Sequence, residues 1–279
     1  MAAHDNIASA IRSSVNAGRP ALVGFLTAGF PTRERFSLDV QAVASVCDVV
    51  EIGVPFTDPM ADGTTIQRAS FIALAQGTTL QWILHELQHL SPRPKAPILL
   101  MSYLNPLLAY GMERLPRDAE AAGVSGFIVP DLPFEESDEL RASLGKLGLA
   151  LVQMVTPVTP DARLAQLCKA AQGFVYAVTM TGTTGKMEGA GAGATATATA
   201  TAGAGGGVAK ATLVPADVLA YMDRVKRASP VPVCAGFGIR SRDQVACFAP
   251  HVDGVIVGSA LVECLERGED VAGFLKALR

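Results

Sequence analysis

Short apolar runs rich in β-branched residues recur eight times along the chain, most of them followed by a longer segment of helical period, and this alternation limits the fold more than any other feature. The runs are Leu22 to Leu26, Val49 to Glu51, Ile98 to Met101, Gly126 to Val129, Ala150 to Met154, Phe174 to Thr179, Val231 to Ala235 and Gly254 to Val257. The helical stretches are Arg33 to Val46, Thr79 to Leu90, Glu113 to Ala122, Glu135 to Leu147, Asp161 to Ala171, Pro215 to Ala228 and Arg242 to Phe248, with a last pair after Ser259. Runs that are apolar at nearly every position read as strands buried on both faces. Alternation of strand and helix implies parallel strands joined by crossover helices. Eight such units in 279 residues predict an α/β chain folded as a (β/α)8 TIM barrel, one domain over 1–279, rather than an open doubly wound sheet.

The second run breaks the apolar pattern. From Glu51 to Gln67 the chain reads EIGVPFTDPMADGTTIQ, so a buried strand ends in a carboxylate and a second carboxylate, Asp62, lies in the Gly/Pro-rich loop that follows. A carboxylate at a buried strand end must be paired, protonated or useful. The strand end is expected to raise the pKa of Glu51, whereas the loop is expected to leave Asp62 ionised.

A barrel collects its chemistry at the carboxyl ends of its strands. Glu51 ends the second run, Tyr103 follows the third, Asp131 follows the fourth, Tyr176 lies in the sixth, and Gly236, Gly238 and Gly258 follow the seventh and eighth. Taken singly, a glycine after a strand is most often a turn and a strand tyrosine is most often core. Their joint placement at one barrel mouth points to a site. Gly236-Phe237-Gly238-Ile239 would let the backbone approach an anion, and Gly258-Ser259 would open a helix whose free N–H groups favour negative charge. The stretch Thr181-Gly182-Thr183-Thr184-Gly185 could add donors and act as a mobile lid.

Composition excludes other classes. Net charge is -3 and the 23 Lys and Arg residues are scattered, which argues against a nucleic-acid or anionic-membrane surface. No apolar run is long enough to span a bilayer and the opening MAAHDNIASAIRSSV lacks the features of a signal peptide, so a soluble, cytoplasmic chain is expected. Cys47, Cys168, Cys234, Cys247 and Cys264 are odd in number and dispersed, and read as buried thiols rather than a disulfide framework or zinc site. His85 and His89, at i,i+4 on a polar helix face, do not make a metal-ligand pattern.

EIGVPFTDPMADGTTIQ, MSYLNPLLAYG, GFIVPDLPFEES and GFGIRSRDQV, in this order and spacing, closely resemble the tryptophan synthase α-subunit family. The resemblance implies retro-aldol cleavage of indole-3-glycerol phosphate to indole and glyceraldehyde 3-phosphate, with no metal and no organic cofactor. It implies that Glu51 protonates C3 of the indole and that Asp62 holds the ring N–H. It further implies an indole pocket of Phe25, Leu100, Tyr103 and Tyr176; for Phe25 and Leu100 an ordinary core position is an equal alternative. The phosphate would lie on Gly182, Gly185, Gly236, Phe237, Gly238, Gly258 and Ser259. Asp58 and Asp131 match family positions, Asp58 near the partner contact. The partner so implied is a pyridoxal-phosphate β subunit in an α2β2 complex, the cofactor belonging to that subunit alone.

Between Lys186 and Lys210 the chain departs from the family, reading KMEGAGAGATATATATAGAGGGVAK where the family has a short loop. A Gly/Ala/Thr run cannot bury enough apolar area to offset its ordering entropy, so residues 186–210 are expected to be a flexible insertion after the sixth strand, with a weak strand over Ala194 to Ala202 as the alternative. Met180 is another position without a secure family match. Three functional readings are weighed: the lyase subunit, whose motifs a free-standing indole-3-glycerol phosphate lyase would share; another phosphate-binding barrel enzyme acting on an indole or sugar phosphate, which would keep the glycines but has no reason to keep Glu51; and a non-catalytic regulatory barrel, which would tolerate loss of the acids.

Overall fold

The computed structural model describes residues 3–179, 214–236 and 238–279. The apolar runs form β1 (Ala21–Thr27), β2 (Val49–Gly53), β3 (Ile98–Met101), β4 (Val124–Ile128), β5 (Ala150–Val155), β6 (Val175–Val178), β7 (Val233–Gly236) and β8 (Gly254–Val257). They pair in parallel and in chain order, and β8 returns to β1, closing the TIM barrel. The seventh strand starts later than its sequence suggests because Pro232 has no N–H to give the ladder; its carbonyl only accepts, from Val175 N at 2.8 Å.

The described residues also hold α1 (Ala3–Asn16), α2 (Phe36–Ala44), α3 (Thr64–Ala75), α4 (Leu80–His89), α5 (Leu104–Tyr110), α6 (Leu115–Ala121), α7 (Asp138–Gly145), α8 (Asp161–Ala170), α9 (Ala216–Ala228), α10 (Arg242–Phe248), α11 (Ser259–Glu266) and α12 (Val271–Ala277). Side chains mark several of the starts. The Thr79 hydroxyl accepts from Trp82 N, Asp270 accepts from Gly273 N, and Ser241 with Gln244 forms a capping box. Three helices, α1, α3 and α5, were not apparent in the sequence. Of these, α5 is only seven residues long and carries Pro106 near its start. Among the described residues no helix is long and apolar enough to cross a membrane.

Strand alternation divides the core into two layers. Outward side chains such as Leu26, Ile52, Leu100 and Phe127 pack under the helices, while inward ones such as Val23, Phe25, Leu99, Met101 and Tyr176 fill the lumen. Truncating a fully buried outward residue such as Phe127 to alanine would cost about 3–5 kcal/mol. Ile7 and Ile11 of α1, both fully buried, pack onto the lumen residues and plug the barrel at the amino-terminal end.

Candidate active site

Glu51 sits on the inward face of β2, in register with Phe25 on β1 and Leu99 on β3. It is fully buried, and neither carboxyl oxygen has a hydrogen-bond partner among the described residues. Burial first, and the nearby Asp62 charge second, push its pKa up to about 8. At neutral pH the side chain is therefore mostly a carboxylic acid, holding a proton it can donate.

Asp62 is brought into the mouth by the connection from β2 to α3. Gln67, one turn into α3, donates from Nε2 to the carbonyl of Asp62 at 2.9 Å and to that of Pro59 at 3.3 Å. Tyr103 holds the loop from the other side: its hydroxyl accepts from Ala61 N at 2.8 Å and donates to Asp62 Oδ2 at 3.2 Å. The Phe56 ring lies 5.2 Å from the Tyr103 ring, centroid to centroid. Asp62 is 7% exposed, so its loop carries it into the interior of the mouth. Burial raises its pKa to about 6, against the Tyr103 hydrogen bond, which lowers it. The pair is ordered: Asp62 ionises first, beside a still neutral Glu51, and Glu51 then ionises against the Asp62 charge. Two neighbouring carboxyl groups thus occupy different protonation states near pH 7.

Tyr176 lies in the lumen between Met154 on β5 and Cys234 on β7. Burial, then the Glu51 and Asp62 charges, hold its hydroxyl in the protonated form. Its ring explains Gly236: a Cβ there would lie 2.3 Å from the ring and 2.6 Å from the hydroxyl oxygen. The Phe25 ring similarly requires Gly53, where a Cβ would lie 2.6 Å from it.

The other residues picked out in the sequence fall as follows. Leu100 is not at the mouth. It is on the outward face of β3, under the helices, and strand parity brings Leu99 and Met101 into the lumen in its place. Gly238 has φ +83, a left-handed conformation suited to glycine. Gly258 precedes α11, whose first residue is Ser259, so the first N–H groups of that helix open toward the mouth beside Phe25. Asp131 accepts from Leu104 N at 2.9 Å, fixing the start of α5 next to Tyr103. Asp58 is exposed on the loop before Asp62 and accepts from the Thr57 hydroxyl at 2.6 Å. Gly182, Gly185, Phe237, Met180 and the 186–210 segment lie outside the described residues. Gln67 and Phe56, which support the acids, were inside the most distinctive motif but carried no signal of what they contact.

Among the described residues no three His, Cys, Asp or Glu side chains converge as a metal site. His89 Nδ1 lies 2.8 Å from the His85 carbonyl, and the two rings are tilted at 34° with centroids 4.3 Å apart.

The model of one protein family, described as tryptophan synthase alpha chain, matches residues 11–202 and 198–276. A tryptophan synthase alpha chain from Solidesulfovibrio magneticus is 42% identical over 270 residues, 96% of each chain. One from Nitratidesulfovibrio vulgaris is 41% identical over 268 residues, covering 96% of this chain and 95% of the other. Among solved structures, a Mycobacterium tuberculosis tryptophan synthase chain superposes with a TM-score of 0.82 at 32% identity, covering 98% of this chain and 96% of that one. A chain of the Pyrococcus furiosus tryptophan synthase α2β2 complex superposes with a TM-score of 0.76 at 28% identity, covering 92% of this chain and 97% of its own.

Proposed function

The chain belongs to the tryptophan synthase alpha chain family, whose reaction is the cleavage of indole-3-glycerol phosphate in tryptophan biosynthesis, and we propose that Glu51 and Asp62 carry that reaction here. The observation that carries the assignment is the fully buried Glu51, unpartnered among the described residues, beside a more acidic Asp62 that is held by Tyr103. The carbon–carbon bond can break once C3 of the indole is protonated, because the ring then leaves as a neutral indole. Glu51 gives its proton to C3. The Glu51 carboxylate so formed takes the proton of the glycerol hydroxyl as that carbon becomes the aldehyde of glyceraldehyde 3-phosphate, and the acid is regenerated. Asp62, ionised, accepts the indole N–H and stabilises the positive charge that develops on the ring.

Phe25, Tyr103, Tyr176 and Met101, the last in place of Leu100, are assigned to the indole pocket. The α11 N-terminus at Gly258-Ser259, with Gly238, is assigned to the phosphate. Gly236 is assigned to making room for Tyr176 rather than to the anion. Gly182, Gly185 and Phe237 keep a phosphate assignment that rests on resemblance alone. The steps above are proton transfers between side chains and substrate, so the chain is assigned no cofactor of its own, and pyridoxal phosphate is assigned to a β-subunit partner in an α2β2 complex in the cytoplasm. Asp58, on the exposed part of the loop before Asp62, is placed at that contact.

The test is indole release from indole-3-glycerol phosphate by the purified chain, with and without a β subunit. Release by the chain alone that rises on adding the β subunit supports the whole reading. Release without any response leaves a free-standing lyase, and no release in either case rejects the assignment.

A further inference from the structure

The amino-terminal end of the barrel, opposite the mouth, contains a second cavity of about 510 Å³. It lies between α1, the C-terminal end of α4, the connection from Arg93 to Pro97 and the starts of β3 and β4. Its volume is within the range of small-molecule sites. The polar groups that line it are Asn6, Ser9, Arg93, Lys95 and Ser125, and no carboxylate is among the lining residues. Among the described residues neither Arg93 nor Lys95 is in an ion pair; Arg93 donates only to the Ala121 carbonyl, at 3.2 Å.

Two local features shape the wall of the cavity. The first is a β-bulge. Ile98 pairs with Val124 and Leu99 with Gly126, so Ser125 is the extra residue of β4. A bulge re-aims a side chain, and here Ser125, 6% exposed as a residue, lines the cavity. The second is Gly123, at φ +78, where a Cβ would come within 3.0 Å of Arg93 Nη1 and crowd the guanidinium. Pro92, Pro94 and Pro97 fix φ along the connection that carries both cations, so little chain entropy is lost when they engage a ligand.

We propose that this cavity is a binding site for a small phosphate monoester, separate from the barrel mouth. The guanidinium of Arg93 offers a two-pronged donor to two phosphate oxygens, Lys95 supplies a second positive charge, and Ser125, Ser9 and Asn6 donate to what remains. A lining with two cations, three further donors and no carboxylate selects for charge and for several acceptor oxygens together.

The test is hydrogen–deuterium exchange of the full chain titrated with inorganic phosphate and read peptide by peptide. Protection over residues 93–98 and 122–126 reports this cavity, and protection over 258–262 reports the mouth. Saturable protection of the first two stretches is expected. Arg93→Ala combined with Lys95→Ala should weaken its midpoint at least about tenfold, one charge-assisted contact corresponding to about a factor of ten, with indole release unchanged. Lys95→Glu, an exposed change that disturbs no packing, should abolish it, and Ser125→Ala should weaken it less. An unmodified chain without protection over 93–98, or a double variant with an unchanged midpoint, overturns the site. Equal protection by succinate overturns phosphate as the ligand class.

Discussion

The hydroxyl of Tyr103 donates to Asp62 Oδ2 at 3.2 Å while accepting from Ala61 N at 2.8 Å, so one side chain on the loop after β3 sets both the position and the charge of a carboxylate 41 residues earlier. The bond favours the ionised form of Asp62, against a burial cost that already lifts its pKa to about 6. Tyr103 is thus both a wall of the proposed indole pocket and the group that keeps Asp62 an acceptor near neutral pH.

Tyr103→Phe should keep the wall and lose both hydrogen bonds. The pKa of Asp62 should rise, and the acid limb of the activity profile should move to higher pH. Loss of a hydrogen bond to a charged group should lower kcat/KM by about tenfold to a hundredfold. A pH–rate profile of the variant checks this; an unmoved acid limb would show that Asp62 does not depend on Tyr103.

Activity of the unmodified chain should follow a bell. The reactive form has Asp62 ionised, which requires pH above about 6, and Glu51 protonated, which requires pH below about 8. The measurement is kcat/KM for indole release between pH 5 and pH 9, since that ratio reports the free enzyme. Glu51→Gln should remove turnover at every pH while substrate still binds, because an amide has no proton of comparable acidity to give.

Much of this site could be read before the fold was known, and the rest has identifiable reasons for being hidden. Glu51 stood out because a charge at the end of Asp48-Val49-Val50 contradicts the burial of its neighbours. Leu100 could not be placed because β3, Ile-Leu-Leu-Met, is apolar at every position, so its sequence carries no parity and its inward face is undefined. Gly236 looked like an anion cradle, whereas a Cβ there meets Tyr176, a residue 60 positions away in the chain whose approach no local pattern records. The depth of Asp62 depends likewise on Tyr103 and Gln67 folding over the loop. Strands were legible because burial on both faces leaves an almost unbroken apolar run; α5 was not, because it is only seven residues long and carries Pro106 in its first turn.

Gly236→Ala should damage the indole pocket more than the phosphate contact. The added methyl would lie 2.3 Å from the Tyr176 ring, and a ring packed in the lumen cannot move aside without displacing its neighbours. The expected cost is about 1–3 kcal/mol of stability, with a fall in kcat/KM. Gly258→Ala is the control, since its methyl would meet Ile66 and Phe25 at an ordinary 3.8 Å. Thermal melting separates the two variants. Adding Tyr176→Leu to Gly236→Ala should recover part of the lost stability, and failure to do so would mean that the clash with Tyr176 is not the cause.

Glu51 should weaken the fold as pH rises, and its removal should show this. Its folded pKa, about 8, is raised above the ordinary value of 4.5, so the folded state holds a proton that the unfolded chain releases. Relative stability is then fully present below about pH 4.5 and is lost as pH climbs through about 8. At pH 7 the loss amounts to about 3 kcal/mol, at about 1.4 kcal/mol for each pH unit above 4.5. Glutamine carries no charge at any of these pH values. Glu51→Gln should therefore match the unmodified chain in stability near pH 4.5 and exceed it by a widening margin from there to pH 8, above which the gap stays constant. Denaturant unfolding of both proteins at pH 4.5, 7 and 8.5 measures the margin. A constant difference across the three would mean that Glu51 titrates alike in the folded and unfolded chain, and with that the buried, protonated acid on which the proposed mechanism depends would be lost.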